Sequence, residues 1–274
     1  MGMNDLAAYR GPVKRRIDAQ VARCVAEWLP GLPPSQQRAL QEMLAGGKRI
    51  RGLITCLVAQ ALGAPLERAL PSALAIEMVQ SASLVHDDFV DGDTVRRGRP
   101  AAWTRLSPKR AVLLADLVFA TAIEKMARTG SREGATLAGA IAAMARGAVD
   151  EALGAGTVQG GSEAYRRIIQ LKTGSLFAAA ARLGALAAGV EPPMQEAASA
   201  YGARVGELYQ IADDLADDTP VPALRRFMES KLGRLVDEAR AALERFPENG
   251  YTRMLGEMPA YLRAETSAEP YAVK

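Results

Sequence analysis

Two aspartate clusters, each closing a long apolar run, constrain this chain more than any other feature. "LVHDDFVD" ends the first run at residues 84–91, and "YQIADDLADD" ends the second at 209–218. The apolar leads "SASLV" and "ELYQIA" require burial, so each segment must leave the core where its carboxylates begin. On a helix, positions i and i+4 share a face. Asp87 and Asp91 therefore point one way, as do Asp213 and Asp217. Like charges at that spacing repel by roughly a few tenths of a kcal/mol. One such pair reads as a solvated helix end; two of the form D-D-x-x-D point to facing helices that hold hard divalent cations. Magnesium prefers oxygen ligands and commonly combines one or two carboxylates with substrate phosphates. Bound metals also invert the field of the aspartates, so a diphosphate can sit between them. Asp88 and Asp214 lie one residue off these pairs as companion carboxylates. Zinc is disfavoured, because the one histidine, His86, has no cysteine near it.

The rest of the chain reads as helix. Aromatics are only 5% of its 274 residues, and alanine is abundant. Breakers predict helices over about 5–29, 35–45, 49–62, 67–91, 108–129, 132–153, 162–173, 175–189, 192–218, 223–245 and 250–263. No strand alternation and no interdomain linker is apparent. The expectation is an all-α chain, residues 1–274 forming a single-domain helical bundle around a central substrate cavity. Cys24 and Cys56 sit in apolar helical patterns and read as buried free thiols of a reducing compartment. The start lacks the apolar core of a signal peptide, and no apolar run reaches transmembrane length. The location expected is cytoplasmic. A net charge of +3 without a long basic run gives no footprint for nucleic acid.

Three basic groups stand near the apolar runs. "GGKRIRG" puts Lys48, Arg49 and Arg51 at a helix start, where free amides favour phosphate. "TVRRGRP" supplies Arg96, Arg97 and Arg99, and "KTGSLF" interrupts an apolar run with Lys172. "GGKR" lacks the spacing of a P-loop. The layout suggests two anion sites, one bridged by metal and one built from lysine and arginine. An interior of Ala, Leu, Val and Met suits a hydrocarbon tail.

These features together resemble the trans-polyprenyl diphosphate synthases, the farnesyl and geranylgeranyl diphosphate synthase family. "DDFVD" with "GDTVRRGRP", "DDLAD", "GGKRIR", "IEMVQSASLVHDD", "YRRIIQLKTGSLF" and "YQIADD" match in kind and order over about residues 40–218. The resemblance implies Mg²⁺, three ions with substrate bound, held by Asp87, Asp91 and Asp213 around an allylic diphosphate. Asp88, Asp214 and Asp217 would accompany them, with Asp217 completing the metal set of the second pair. Arg96 and Lys172 would hold the allylic diphosphate. Lys48, Arg51, Gln80 and Arg97 would grip isopentenyl diphosphate, and Thr173 and Gln210 would line the reaction centre. The implied reaction is head-to-tail prenyl transfer: the allylic C–O bond breaks, the homoallylic double bond attacks, and the leaving diphosphate takes the proton. His86, tempting as a base, is assigned a structural role. A homodimer is implied, with a heteromer as the alternative.

The chain departs from the family in places. The glycine- and lysine-rich loop after the second cluster is replaced by "DDTPVPALRRFMESK", where Arg225, Arg226 or Lys231 are the available cations. Ala148 stands where relatives carry glutamine, and the usual "GD" reads "AD" at 115–116. These changes keep two other readings open: a partner subunit of a heteromeric synthase, and a diphosphate-ionising terpene cyclase. The retained Lys48, Arg51 and Arg97 disfavour the cyclase, which needs no second anion site. In the family, residues four and five before the first motif form the floor for the growing chain. Here they are the small Ser83 and Ala82, with Met78 and Val79 a turn deeper, so the expected product is C20 or longer.

Overall fold

A computed structural model of the chain describes residues 3–153, 161–216 and 222–268. Twelve α-helices appear among them: α1 Met3–Trp28, α2 Pro34–Leu44, α3 Ile50–Ala61, α4 Leu66–Asp91, α5 Ala102–Leu106, α6 Pro108–Thr129, α7 Ser131–Ala152, α8 Gly161–Ile169, α9 Ser175–Ala188, α10 Pro192–Ala216, α11 Pro222–Ala242 and α12 Gly250–Ala268. The all-α bundle expected from the sequence is observed. No helix among the described residues is long and apolar enough to cross a membrane. Cys24 and Cys56 are buried free thiols.

Three helices form the centre. α3, α4 and α9 bury residues on nearly every face, as expected of helices apolar all round. α6 and α7 pack on one side of them, and α10, with α11 and α12, on the other. Glycines set the closest approaches. A Cβ at Gly184 would lie 2.4 Å from the Thr55 carbonyl oxygen of α3, and one at Gly202 of α10 would lie 2.3 Å from the Phe177 carbonyl oxygen of α9. Only a residue without a side chain lets the backbones meet there. The Thr55 hydroxyl fastens the first seam, 2.9 Å from the Ala180 carbonyl oxygen and 3.0 Å from that of Arg51.

Three local features differ from the sequence reading. A two-stranded antiparallel hairpin, β1 Val95–Arg96 and β2 Arg99–Pro100, follows α4. Its turn residues Arg97 and Gly98 both have positive φ, 55° and 69°, the backbone that a two-residue hairpin turn demands. The short α5 was also not foreseen. Finally, Gly174 does not break the chain between α8 and α9. Residues Gln170–Gly174 form a π turn that joins them into one continuous helical path.

Candidate active site

α4 leaves the core at its last turn and stops at Gly92, whose φ of 72° is the left-handed conformation of a helix C-cap. The three aspartates of the first cluster differ sharply in environment. Asp91 is exposed. Asp88 is buried and takes a hydrogen bond from Arg96 Nε at 2.6 Å, while Arg96 also reaches Asp93 at 3.3 Å. The hairpin thus folds Arg96 back onto α4. Asp87 is half-buried, with Lys172 Nζ 3.6 Å from its Oδ1. Burial pushes the Asp87 carboxyl above the usual range; Lys172 opposes this, and Asp91 and Glu151 add to it. For Lys172, burial lowers its basicity, but Asp87 and Glu151 outweigh burial and the net shift is upward.

The second cluster sits at the end of α10. Asp214 accepts from Tyr165 Oη at 2.5 Å and from Gln210 Nε2 at 2.7 Å. Gln210 Oε1 in turn accepts from Thr173 Oγ1 at 2.8 Å. Burial and the adjacent Asp214 raise the Tyr165 phenol, so it stays a donor. Asp213 is half-buried on the same turn. Asp217 lies outside the described residues.

The π turn joins the two clusters. Consecutive residues Lys172 and Thr173 reach Asp87 and, through Gln210, Asp214. Single π turns recur at functional sites because they re-aim side chains within a helix. Tyr165→Phe tests the relay. Losing one hydrogen bond to a charged acceptor costs about 1.5–3 kcal/mol, so the melting temperature should fall by a few degrees. An unchanged melting temperature would show that Asp214 needs no such anchor.

The basic groups separate. Arg49 is turned inward at a φ of 56° and is buried. It donates to Asp18 Oδ1 at 2.8 Å and the Leu44 carbonyl at 2.7 Å, and lies 3.6 Å from Glu77 Oε2. Glu77, also buried, accepts the Gly52 amide at 2.7 Å. Arg51 stacks over the Phe177 ring at 4.4 Å, and its buried Nε has no hydrogen-bond partner. Arg97 crosses from the hairpin to the "GGKR" turn. It donates to the Ala45 carbonyl at 3.1 Å, and its Nη2 would lie 2.7 Å from a Cβ at Gly47. That turn carries Lys48. Gln80 is half-buried on α4, and its carbonyl accepts the Ser83 hydroxyl at 3.0 Å. Ala82 and Ser83 are buried, above the fully buried Met78 and Val79.

Sequence reasoning missed several partners. Glu151 on α7 holds Lys172 Nζ at 2.6 Å, three residues after Ala148. Tyr165 opens the "YRRIIQLKTGSLF" stretch, where sequence alone gives its hydroxyl no partner. Asp116, of the "AD" at 115–116, faces His86, with Nε2 and Oδ1 3.3 Å apart, and Phe119 packs edge-on against the imidazole. That supports a structural His86. Lys231 lies over the Phe227 ring on α11, in a cleft lined by α8, α10 and α11.

The donor set fits a hard cation. The clustered acids are carboxylates, without cysteine, and burial with neighbouring carboxylates leaves Asp87 short of compensating charge. Among the described residues, no three His, Cys, Asp or Glu side chains already converge tightly enough to cage an ion. This is compatible with magnesium, which is usually held by one or two carboxylates plus substrate phosphates.

The chain is similar to known proteins in sequence and in fold. The chain is 35% identical over 217 residues to "Heptaprenyl diphosphate synthase component 2" of Geobacillus stearothermophilus, covering 79% of this chain and 64% of that one. It is 40% identical over 174 residues to the nonaprenyl diphosphate synthase of Mycobacterium tuberculosis, covering 63% of this chain and 52% of that one. The matched stretch thus spans between about half and two thirds of these curated relatives. The fold superposes on a decaprenyl diphosphate synthase from Rhodobacter capsulatus with a TM-score of 0.82 at 25% identity, over 96% of this chain and 99% of that one. A polyprenyl synthase from Caulobacter crescentus, complexed with calcium and isoprenyl diphosphate, gives 0.81 at 26% identity, over 94% and 97%. The sequence pattern described as "Polyprenyl synthetase" matches residues 33–223, which hold the "GGKR" turn, both aspartate clusters and the π turn between them; this chain belongs to the polyprenyl synthetase family.

Proposed function

We propose that the protein condenses isopentenyl diphosphate with an allylic diphosphate in a Mg²⁺-dependent head-to-tail prenyl transfer. The observation that carries this reading is the π turn, where Lys172 reaches Asp87 directly and the next residue, Thr173, reaches Asp214 through Gln210. Asp87, Asp91, Asp213 and Asp217 are the residues that would hold the metal, with three ions when substrate is bound. Bound magnesium would supply charge stabilisation of the departing diphosphate. Lys172, raised in basicity, stays cationic and would take its share of that charge when Glu151 yields it. Arg96 would do the same on release from Asp88 and Asp93. Lys48, Arg51 and Arg97, with Gln80, would orient the second diphosphate. Thr173 and Gln210 would border the reacting carbons. Asp88 and Asp214 serve by holding Arg96 and Gln210.

Incubation with Mg²⁺, isopentenyl diphosphate and C5, C10 or C15 allylic diphosphates tests this. Diphosphate release with a lengthened prenyl product is the expected result. No turnover with any primer, but recovery on adding a related subunit, would favour the partner-subunit reading. The component name of the Geobacillus relative gives that second reading its support. A homodimer is the proposed state otherwise. The exposed apolar Leu113 of α6 and Val149 of α7 favour it.

The product is proposed to be C20 or longer, with Ala82 and Ser83 as the floor. Ala82→Phe should shorten the product by at least one C5 unit and cost about 1–3 kcal/mol from overpacking. Chromatography of the dephosphorylated products measures this; an unchanged length distribution in a folded variant would remove Ala82 from the floor.

A further inference from the structure

We propose that the cleft between α8, α10 and α11 is a second anion-binding site, for a phosphate-class oxyanion, separate from the aspartate clusters. The cavity has a volume of about 180 Å³ and is lined by Arg166, Arg204, Lys231 and Arg234 against only two carboxylates, Glu207 and Glu238. Two of the four cations are committed. Arg204 bridges Glu207 at 2.5 Å and Glu238 at 2.9 Å, and Arg234 lies 3.3 Å from Glu238. Glu207 is itself buried, so this ion pair is fixed in the cleft wall.

The other two cations are not balanced. The Arg166 side chain is 43% exposed, but its Nε is enclosed and has no hydrogen-bond partner. Its only carboxylate neighbour among the described residues, the exposed Glu163, is 4.0 Å away from Nη2. Lys231 makes no ion pair among the described residues and rests 5.4 Å from the Phe227 ring centroid. Four cations less two carboxylates leave two positive charges facing the cavity. A buried guanidinium nitrogen without an acceptor is costly, and a divalent oxyanion supplies both the missing acceptor and the charge.

The position separates this site from prenyl transfer. On α10 the cleft uses Arg204, Glu207 and Ile211, whereas Gln210 and Asp214 face the π turn and Tyr165. Ile169, Ile211 and Leu235, part of a small apolar cluster between α8, α10 and α11, form its floor. Gln170, first residue of the π turn, is also in the wall. An anion held here therefore touches the segment that carries Lys172 and Thr173 without touching the aspartates.

Crystals of the full chain soaked in tungstate locate the site by anomalous scattering. The expected peak lies between Arg166 and Lys231. Peaks confined to the Lys48–Arg51–Arg97 region, or no peak, would overturn the proposal. Calorimetric titration with inorganic phosphate gives a second readout. Arg166→Gln should weaken phosphate binding by about tenfold or more while leaving the melting temperature and prenyl transfer near the parent values. Unchanged phosphate affinity in this variant would refute the site. Turnover lost together with phosphate binding would refute its separateness.

Discussion

Asp87→Asn is expected to lower turnover by about two to three orders of magnitude while stabilising the metal-free protein near neutral pH. The two effects share one cause. Burial raises the Asp87 carboxyl above its unfolded value despite Lys172 nearby. A carboxylate so raised contributes stability only below its unfolded pKa, about 4, and loses it as pH rises through the folded pKa. At pH 7 the ionised Asp87 therefore works against the fold. Asparagine removes that charge and also the proposed metal ligand. Calorimetry in EDTA should show a higher midpoint for the variant at pH 7, and a difference that fades towards pH 4. Added Mg²⁺ should raise the parent midpoint more than that of the variant. A variant less stable than its parent at pH 7 would mean that the contact with Lys172 outweighs burial.

Arg49→Met should produce the largest loss of stability. The guanidinium is 2% exposed and faces Glu77, at 5%. Removing one partner of a buried pair strands the other charge, typically at about 3–5 kcal/mol. For a chain of this size that lowers the melting temperature on the order of 10 °C. The double variant Arg49→Met/Glu77→Gln should recover part of the loss, since glutamine still accepts the Gly52 amide. The KM for isopentenyl diphosphate should rise in both, because Arg49 fixes the turn that presents Lys48 and Arg51. A double variant no more stable than the single one would argue against a stranded Glu77.

The helices and the two clusters could be read from the sequence because apolar periodicity and Gly or Pro breakers are local signals. Burial of α4 up to its aspartates was foreseen for the same reason. What escaped depended on tertiary contacts. "GGKRIR" offers three similar cations, and only the packing of α1 and α4 turns Arg49 inward towards Asp18 and Glu77. Glu151 is one carboxylate on a half-exposed helix, and its meaning depends on Lys172, a distant neighbour in sequence. The hairpin has strands of two residues each and an Arg-Gly turn, too short for an alternation to show. Gly174 reads as a breaker in the sequence, yet close packing against α10 there keeps the helix running.

That continuity makes the π turn a register device. Its bonds close five residues back rather than four, so it carries one residue more than an α-helical turn would. Deleting a single residue from 170–174 would let α8 and α9 merge into a uniform α-helix. The shorter α turn would complete the same rotation, so α8 and α9 would keep their faces and Tyr165 its approach to Asp214. Lys172 and Thr173 would instead be re-aimed, undoing the arrangement in which one reaches Asp87 and the other Gln210. Spacing in this segment is thus under the same physical constraint as residue identity: a deletion here would leave the fold standing and remove only the bridge between the clusters.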